Sequence, residues 1–542
     1  MNKLTVLAFS VSVALASQAQ TVQDALKKTD DERYDLARKD FQSLIQKNPS
    51  SVEAHFFFGN FYNTIGQTDS AISMWKKAGS LIPEDKLGII ATQKAIYFSG
   101  DTATASAGFC TALKATKNKN AMQLMRVGEA YATSGKWANP KLAETYLRKA
   151  LAIDPNNQEA LILLGDVMKV LSPTNATPAV AEYNKVLALN PNAVNVIVRK
   201  AKIYQAVNNY KLANEEYLKA EQLDENYAPA YMYHAEMNML FGYYNNAIEL
   251  WNKYIKLNDN NEARYRLLSA MYGAKKYAET LAEIDKLEAK GYTNMYMKRF
   301  KSVCLVELNT ANDVAQYEKA LAASDDLFKS ADADKIIGAD YRTRGVIYSK
   351  LGKDSLAIIE YRKTMEKDTS LGAEMLSEIG KIYVKQKNYD KTIATYSEKE
   401  TAYPAKVNAT EYFNWALACY FNAKPDYAMA DSRLVKVNEK APDFIATHFW
   451  RARVALKMED PKAKKWLAKP HYEKYLASMT EADKTNPSLK ANQIEASKYL
   501  GDYYVNSSEK NIPLAKEQWT RVRTLDPADA QAKAFFNSPL GK

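Results

Sequence analysis

The chain has 542 residues, of which 47% are hydrophobic and 25% charged, proportions typical of a folded protein and not of a disordered one. This length exceeds the size at which a single hydrophobic core stops growing, so the chain should contain repeats or several domains. The formal net charge of +11 favours contact with anionic surfaces or acidic partners.

The N-terminus has the pattern of a secretory signal peptide. Lys3 supplies a positive charge, an apolar stretch follows over 4–16, and small residues predict cleavage between about residues 16 and 20. No later segment approaches the roughly 20 continuous apolar residues of a membrane helix. We therefore expect an exported protein of the periplasm, an address that disfavours nucleic acid as a partner.

The unit that begins at Val52 shows the repeat most clearly. His55, Phe58, Gly59 and Tyr62 share one face of a predicted first helix. That helix should end near Gly66, because glycine suits a left-handed C-terminal cap. A second helix should begin near Asp69, with Asp69 or Ser70 as its N-cap. It presents Ala71, Trp75 and Ala78 to the first helix and stops at Pro83.

The same pattern returns about every 34 residues, which predicts a solenoid of helix pairs. A small residue precedes a Tyr by three positions at Gly59/Tyr62, Gly128/Tyr131, Ala201/Tyr204, Gly345/Tyr348, Gly380/Tyr383 and Gly501/Tyr504. An Ala precedes an aromatic residue by four at Ala71/Trp75, Ala179/Tyr183, Ala213/Tyr217, Ala247/Trp251, Ala357/Tyr361 and Ala515/Trp519.

These residues resemble the tetratricopeptide repeat (TPR), whose consensus has a small residue, Tyr, Ala, an aromatic residue, Ala and Pro at these spacings. The resemblance extends over about 14 units, which start near residues 18, 52, 87, 121, 158, 194, 228, 262, 295, 338, 373, 409, 445 and 494. It implies an all-α fold, a right-handed α–α superhelix in which the first helices of the pairs line a concave groove.

Departures from the pattern suggest how the array is divided. The helix-to-helix turn is lengthened at 137–140, 172–178, 460–467 and 506–513, and the unit at 295–334 lacks the small-residue/Tyr pair. We expect a signal peptide at 1–20, an N-terminal array at 21–294, an irregular repeat or hinge at 295–337, and a C-terminal array at 338–542 that ends in a capping helix from 528 to 537.

The sequence contains no pattern that predicts catalysis or a bound cofactor. Its four His and three Cys form no zinc-binding spacing, and the Cys are predicted to be free and mostly buried. Ser73 and Lys76 have a Ser-x-x-Lys spacing, but both fall on the outer helix of a regular repeat. Nucleophile-elbow and phosphate-binding loop motifs are missing. We expect a protein that is not an enzyme and binds no metal.

The family resemblance places partner-binding residues at the fifth, ninth and twelfth positions of the first helices. The predicted groove residues are Phe56, Asn60, Asn63, Met125, Glu129, Asp166, Lys202, Gln205, Met232, Glu236, Arg266, Arg342 and Lys381, with Ile162, Lys169, Val198, Met239 and Ser377 at further such positions. The lining mixes Met, Phe and Asn at first and becomes basic from Arg266. Met suits adaptable peptide binding and Arg suits carboxylates. The Lys/Asn pair of carboxylate-clamp TPR proteins is absent.

Two functions follow from these features. The first is a periplasmic scaffold that binds envelope proteins or peptide segments, including acidic ones. The second is a carbohydrate- or peptidoglycan-associated protein that uses the Tyr-rich, basic surface. The triplets at 69–71, 101–103 and 354–356 also resemble an O-glycosylation signal of exported bacterial proteins, although each falls where a second helix needs an N-cap.

Overall fold

The computed structural model describes residues 21–460 and 462–542, so the predicted signal peptide lies outside the described residues. These residues form helices and turns without a strand, in two compact units that divide between Thr293 and Asn294. The all-α helix-pair solenoid predicted from the sequence is confirmed.

The N-terminal unit contains eight helix pairs in the described residues. Its helices are α1 Val22–Asp30, α2 Tyr34–Lys47, α3 Val52–Thr64, α4 Thr68–Leu81, α5 Lys86–Phe98, α6 Thr102–Ala115, α7 Ala121–Thr133, α8 Pro140–Ile153, α9 Gln158–Leu171, α10 Thr177–Leu189, α11 Val194–Ala206, α12 Tyr210–Leu223, α13 Ala228–Leu240, α14 Tyr244–Leu257, α15 Asn261–Gly273 and α16 Tyr277–Ala289. Odd-numbered helices open the pairs, and each packs on the even-numbered helix that follows.

The C-terminal unit continues the pairing over its own described residues. Its helices are α17 Met295–Glu307, α18 Val314–Ser330, α19 Gly338–Lys350, α20 Asp354–Lys367, α21 Gly372–Lys385, α22 Tyr389–Ala402, α23 Ala409–Phe421, α24 Tyr427–Lys440, α25 Ala446–Met458, α26 Lys469–Ala477, α27 Glu481–Thr485, α28 Lys490–Asn506, α29 Ile512–Leu525 and α30 Ala530–Asn537. The last is the predicted closing helix, and its Phe535 stacks on Trp519 with ring centroids 5.8 Å apart.

Small residues let the two helices of a pair approach closely. In the second pair, Trp75 is fully buried, and a Cβ added to Gly59 would lie 2.5 Å from the Cδ1 atom of its indole ring. The Trp75 Nε1 atom donates hydrogen bonds of 3.1 Å to the carbonyl of Phe56 and the amide oxygen of Asn60. The recurring small residue therefore makes room for the recurring aromatic residue of the partner helix.

The turn between the helices of the second pair is the predicted left-handed cap, since Gly66 has a φ of +73°. The N-cap prediction for the next helix is wrong. Helix α4 begins one residue earlier, at Thr68, and its N-cap, Gln67, forms no side-chain hydrogen bond with the helix. Asp354 likewise lies in the first turn of α20, whereas Asp101 does cap α6 by accepting from the Thr104 amide.

The unit without the small-residue/Tyr pair still folds as two helices. Its second helix, α18, is 17 residues long, longer than the usual 13 or 14. Of the three thiols, Cys304 and Cys419 are buried and Cys110 is exposed, and all three are free. Within 21–460 and 462–542, no helix has both the length and the apolar character required to cross a bilayer.

Candidate partner-binding groove

The first helices of successive pairs lie side by side in the N-terminal unit, with contacts from α3 to α5, α5 to α7, α7 to α9 and α11 to α13. Side chains at the same repeat position therefore meet across neighbouring helices. We call the surface made by these helices the inner face. It carries the predicted groove residues of this unit.

A buried polar network fills the inner face of the second to fifth pairs. The Lys94 Nζ atom donates to the Asn60 amide oxygen at 2.8 Å and to the Glu129 carboxylate at 2.7 Å. The Arg126 guanidinium donates to Glu129 at 2.8 Å and to Glu159 at 2.8 Å. Two cations thus face two carboxylates, which is the balance that buried charges require.

The network changes the acidity of its members. Burial lowers the pKa of Lys94, although the neighbouring Glu129 opposes that shift. Burial alone would raise the pKa of Glu129, but the charges of Lys94 and Arg126 outweigh it and lower the value to about 2. Glu129 is therefore a carboxylate with two cationic partners and is not a proton donor at neutral pH.

Apolar members of the predicted groove lie beneath this network. Phe56 is fully buried and Met125 is 4% exposed. The Lys94 Nζ atom lies 5.2 Å from the centroid of the Phe56 ring and 4.6 Å from that of Trp75. These residues support the inner face from below, whereas the half-buried Asn60 and Asn63 reach its surface.

The inner face is more accessible in the fifth to seventh pairs. Asp166, Lys202, Gln205, Met232 and Glu236 are all half-buried there. Asp166 accepts from the Tyr183 hydroxyl at 2.6 Å, and Gln205 accepts from the Tyr217 hydroxyl at 2.9 Å.

Lys202 has an aromatic contact on this part of the face. Its Nζ atom lies 3.6 Å from the centroid of the Tyr233 ring. Burial and the neighbouring cations Lys169 and Arg199 lower the pKa of Lys202 to about 8. A partner with a carboxylate at this place would relieve that repulsion.

One contact with this surface comes from the start of the unit and was not foreseen from the sequence. Residues 30–34, which we call the N-terminal turn, connect α1 to α2 and lie against the sixth and seventh pairs. The Tyr254 hydroxyl donates to the Glu32 carboxylate at 3.0 Å, and the Asn258 side chain donates to the Glu32 carbonyl at 2.9 Å. Asp30 lies 3.8 Å from the Arg199 guanidinium.

The predicted basic residues already have acidic neighbours. Arg266, on α15, pairs with Glu262 at 3.0 Å. In the C-terminal unit, Arg342 pairs with Glu374 at 2.6 Å and Lys381 with Glu378 at 2.7 Å. All three pairs are exposed or partly exposed, so each adds little stability and can exchange partners.

A serine and a lysine also meet in the C-terminal unit. The Lys399 Nζ atom donates to the Ser377 hydroxyl at 2.6 Å, but it also donates to both oxygens of the Glu411 carboxylate, at 2.7 and 2.8 Å. An ion-paired ammonium has no lone pair to accept a proton from serine. This cluster is a buried salt bridge with a hydroxyl partner and lacks the base that a serine nucleophile requires.

Two of the four histidines have structural roles. His55 lies 2.8 Å from the carbonyl of Ser51, and the two ring nitrogens of His234 contact Glu221 and Asn214. Within the two described stretches, His, Cys, Asp and Glu form no group of three or more that could hold a metal ion.

Comparison with solved structures finds proteins that are similar to parts of this chain. The C-terminal part of a TPR repeat-containing protein from Cytophaga hutchinsonii is 30% identical, over 50% of this chain and 98% of its own, with a TM-score of 0.39. A TPR protein from Parabacteroides merdae is 17% identical over 50% of this chain and 98% of its own, with a TM-score of 0.32. Yeast Tom70 is 15% identical over 79% of this chain and 98% of its own, with a TM-score of 0.29.

No family model matches the chain, and no curated protein does. The identity to the Cytophaga hutchinsonii protein extends over nearly all of that protein's solved chain. The described helices also pair, turn and pack as the TPR consensus residues require. The chain therefore belongs to the tetratricopeptide repeat family.

Proposed function

We propose that this protein is an exported, non-catalytic scaffold of the cell envelope that binds a partner protein through the inner face of its N-terminal unit. The observation that carries the proposal is the group of half-buried polar side chains on α9, α11 and α13, among them Asp166, Lys202 and Glu236. Such groups lose water when a partner covers them, so they favour a partner that supplies matching polar groups and disfavour others.

The second to fifth pairs, which the buried network joins, support this surface. A hydrogen-bonded network of ion pairs joins the first helices of these pairs, so the neighbouring inner face is already shaped for a partner before binding. Preorganisation of this kind reduces the ordering entropy lost on association. Export is supported by the signal-like pattern at the N-terminus.

The proposal is tested by mild crosslinking in the source cells, followed by purification and mass spectrometry. We expect a stoichiometric partner whose recovery falls when Lys202→Glu or Arg266→Glu reverses charge on the N-terminal unit. Arg342→Glu, on the C-terminal unit, shows whether that unit also contributes. Recovery of the same background proteins from all of these variants would contradict the proposal.

Two further measurements test where in the cell the protein is located and which class of partner it binds. Fractionation with N-terminal sequencing should find the mature chain in the periplasm, starting between about residues 17 and 21. Purified protein should stay in the supernatant with cell-wall sacculi. Sedimentation with the sacculi would favour a carbohydrate-associated protein instead.

A further inference from the structure

The N-terminal turn behaves as a ligand held on the inner face. It presents two carboxylates, those of Asp30 and Glu32, to Arg199 and Tyr254. The Tyr227 hydroxyl also donates to Asp30, at 3.5 Å, and the Arg33 guanidinium donates to the carbonyl of Asn226 at 3.4 Å. We call the surface under the turn, formed by Arg199, Lys202, Tyr227, Tyr254 and Asn258, the turn site.

The backbone of the turn is unfavourable for the residue that makes the main contact. Glu32 has a φ of +59°, in the left-handed region that L-residues with a Cβ rarely adopt. At the same point between first and second helices, five other pairs of this unit place residues that tolerate that conformation, namely Gly66, Gly100, Gly135, Asn208 and Gly242, whereas the eighth pair places Lys275 there. The first pair therefore has a strained glutamate where glycine would fit, and the carboxylate of that glutamate is bound.

The buried position of the turn is also unfavourable for its charges. Burial raises the pKa of Asp30, although Arg199 opposes the shift, and burial raises the pKa of Glu32, although the hydrogen bond from Tyr254 opposes it. Backbone strain and charge desolvation both weaken the hold of the turn on its site. A segment that offered the same carboxylates without the strain would bind there better.

Without the N-terminal turn, the turn site would carry a net positive charge. Three cations, Lys169, Arg199 and Lys202, lie together on this part of the inner face, as their mutual effect on the pKa of Lys202 shows. Asp166 and Glu236 are the acidic inner-face residues near them. Removal of Asp30 and Glu32 would leave a net positive surface with exposed tyrosine hydroxyls, which suits an acidic segment.

We propose that the turn site is the docking surface for an acidic segment of a partner protein, and that the N-terminal turn occupies it in the free protein. This inference rests on the proposed function and names the chemistry of the partner. An internal occupant lowers the apparent affinity for the partner, because only molecules in which the site is uncovered can bind it. Weakening the turn should therefore strengthen partner binding.

The test uses the mature full-length chain and a fluorescein-labelled peptide with the sequence of residues 27–36, measured by fluorescence anisotropy. Glu32→Gly removes the bound carboxylate and suits the left-handed backbone, so the first pair should stay folded. We expect this variant to bind the peptide at least threefold more tightly than the wild-type protein does. Lys275→Gly is the matched control, because Lys275 holds the same left-handed turn position in the eighth pair, with a φ of +58°.

The Glu32→Gly variant also serves to test whether the peptide binds at the turn site and whether binding depends on the positive charge there. Lys202→Glu should weaken binding at least tenfold. Equal affinities of the wild-type protein and Glu32→Gly would overturn the inference, as would undetectable binding to Glu32→Gly or unchanged binding after Lys202→Glu.

The class of partner is checked by competition. Poly-glutamate should displace the peptide, and polygalacturonate, an anionic polysaccharide, should not. Displacement by both to the same extent would overturn the assignment to a protein segment. A partner protein captured in cells, together with a negative peptide result, would leave the proposed function in place and remove only this inference.

Discussion

The hydroxyl of Tyr254 donates a 3.0 Å hydrogen bond to the carboxylate of Glu32, a residue 222 positions earlier in the chain. Tyr254 lies on α14 in the seventh helix pair, and Glu32 lies in the turn of the first pair. A simple solenoid has contacts between adjacent repeats only. Together with the contact between Asp30 and Arg199 on α11, this bond shows that the N-terminal unit curves until its first turn contacts its sixth and seventh pairs.

Replacement of Tyr254 should loosen the N-terminal turn. Tyr254→Phe removes the hydrogen bond to Glu32 and leaves a half-buried carboxylate with one partner fewer, a loss of about 1 kcal/mol. Hydrogen exchange in α1, measured by mass spectrometry, should become roughly fivefold faster. Tyr231→Phe is the matched control, because its hydroxyl donates to the carbonyl of Glu225 and not to the turn. Equal exchange in both variants would show that the Tyr254 bond does not hold the turn.

The turn contact should weaken as pH rises. The pKa values of Asp30 and Glu32 are raised in the folded state. Groups of this kind stabilise the contact fully below their ordinary values, near about 4, and the stabilisation is lost as pH rises through the folded-state pKa. Protection of α1 from hydrogen exchange, corrected for the intrinsic rate, should therefore fall between about pH 4 and pH 7.

A variant without these carboxyl groups isolates their contribution to that pH dependence. In the double variant Asp30→Asn/Glu32→Gln, protection of α1 should be nearly independent of pH. Protection that rises with pH in the wild-type protein would contradict the assigned direction of the two pKa shifts.

The Glu129 carboxylate should be essential for the stability of the second to fifth pairs. Glu129→Gln leaves Lys94 without its ion-pair partner in a buried site, a change that costs about 3–5 kcal/mol. Glu374→Gln, which breaks an exposed pair with Arg342, should cost less than about 1 kcal/mol. Urea unfolding followed by hydrogen exchange in α5 and α7 measures both.

The pH dependence of this network should be opposite to that of the turn. Because the pKa of Glu129 is lowered to about 2, the network contributes fully above the ordinary glutamate value of 4.5 and is lost as pH falls through 2. The difference in stability between the wild-type protein and Glu129→Gln should shrink over that range. A constant difference would contradict the ionised network.

An added methyl group at the small-residue position should destabilise the helix pair, because the two helices are closely packed there. A Cβ at Gly345 would lie 2.6 Å from the Cδ1 and Cε1 atoms of Tyr361, whose ring is 1% exposed. We expect Gly345→Ala to destabilise the pair α19/α20 by about 1–3 kcal/mol. The control Thr343→Ala lies on the same helix and removes an exposed hydroxyl, so it should change stability by less than about 0.5 kcal/mol. Equal thermal midpoints for both variants would show that the helices can separate to admit the methyl group.

The sequence predicted the fold closely because the TPR period is local. Each helix pair is specified by its own small residue, aromatic residue and turn, so the first helices begin within about four residues of the predicted starts. The buried network also had a local signal. Asn60, Lys94 and Glu129 stand 34 and 35 positions apart, at one repeat position on successive first helices. Lys94 was missed because the third pair was left out of the groove prediction.

The contact of the N-terminal turn had no such signal. It joins Glu32 to Tyr254 through the accumulated curvature of the intervening helix pairs, and no short sequence pattern encodes that curvature. Residues at predicted groove positions also differ in burial, because Phe56 sits beneath a lysine network and Lys202 does not. Periodicity shows on which face of a helix a residue lies, but it does not show how deeply the side chain is buried.

The central claim, that a partner protein binds the inner face of the N-terminal unit, is tested most directly by site-specific photocrosslinking in the source cells. A photoreactive phenylalanine analogue at Met232 lies on the half-buried inner face, and one at Ser73 lies exposed on the second helix of a regular pair. We predict one defined protein adduct from position 232 that disappears with Lys202→Glu, and none of that size from position 73. The same adducts from both positions, or none from position 232, would contradict the account.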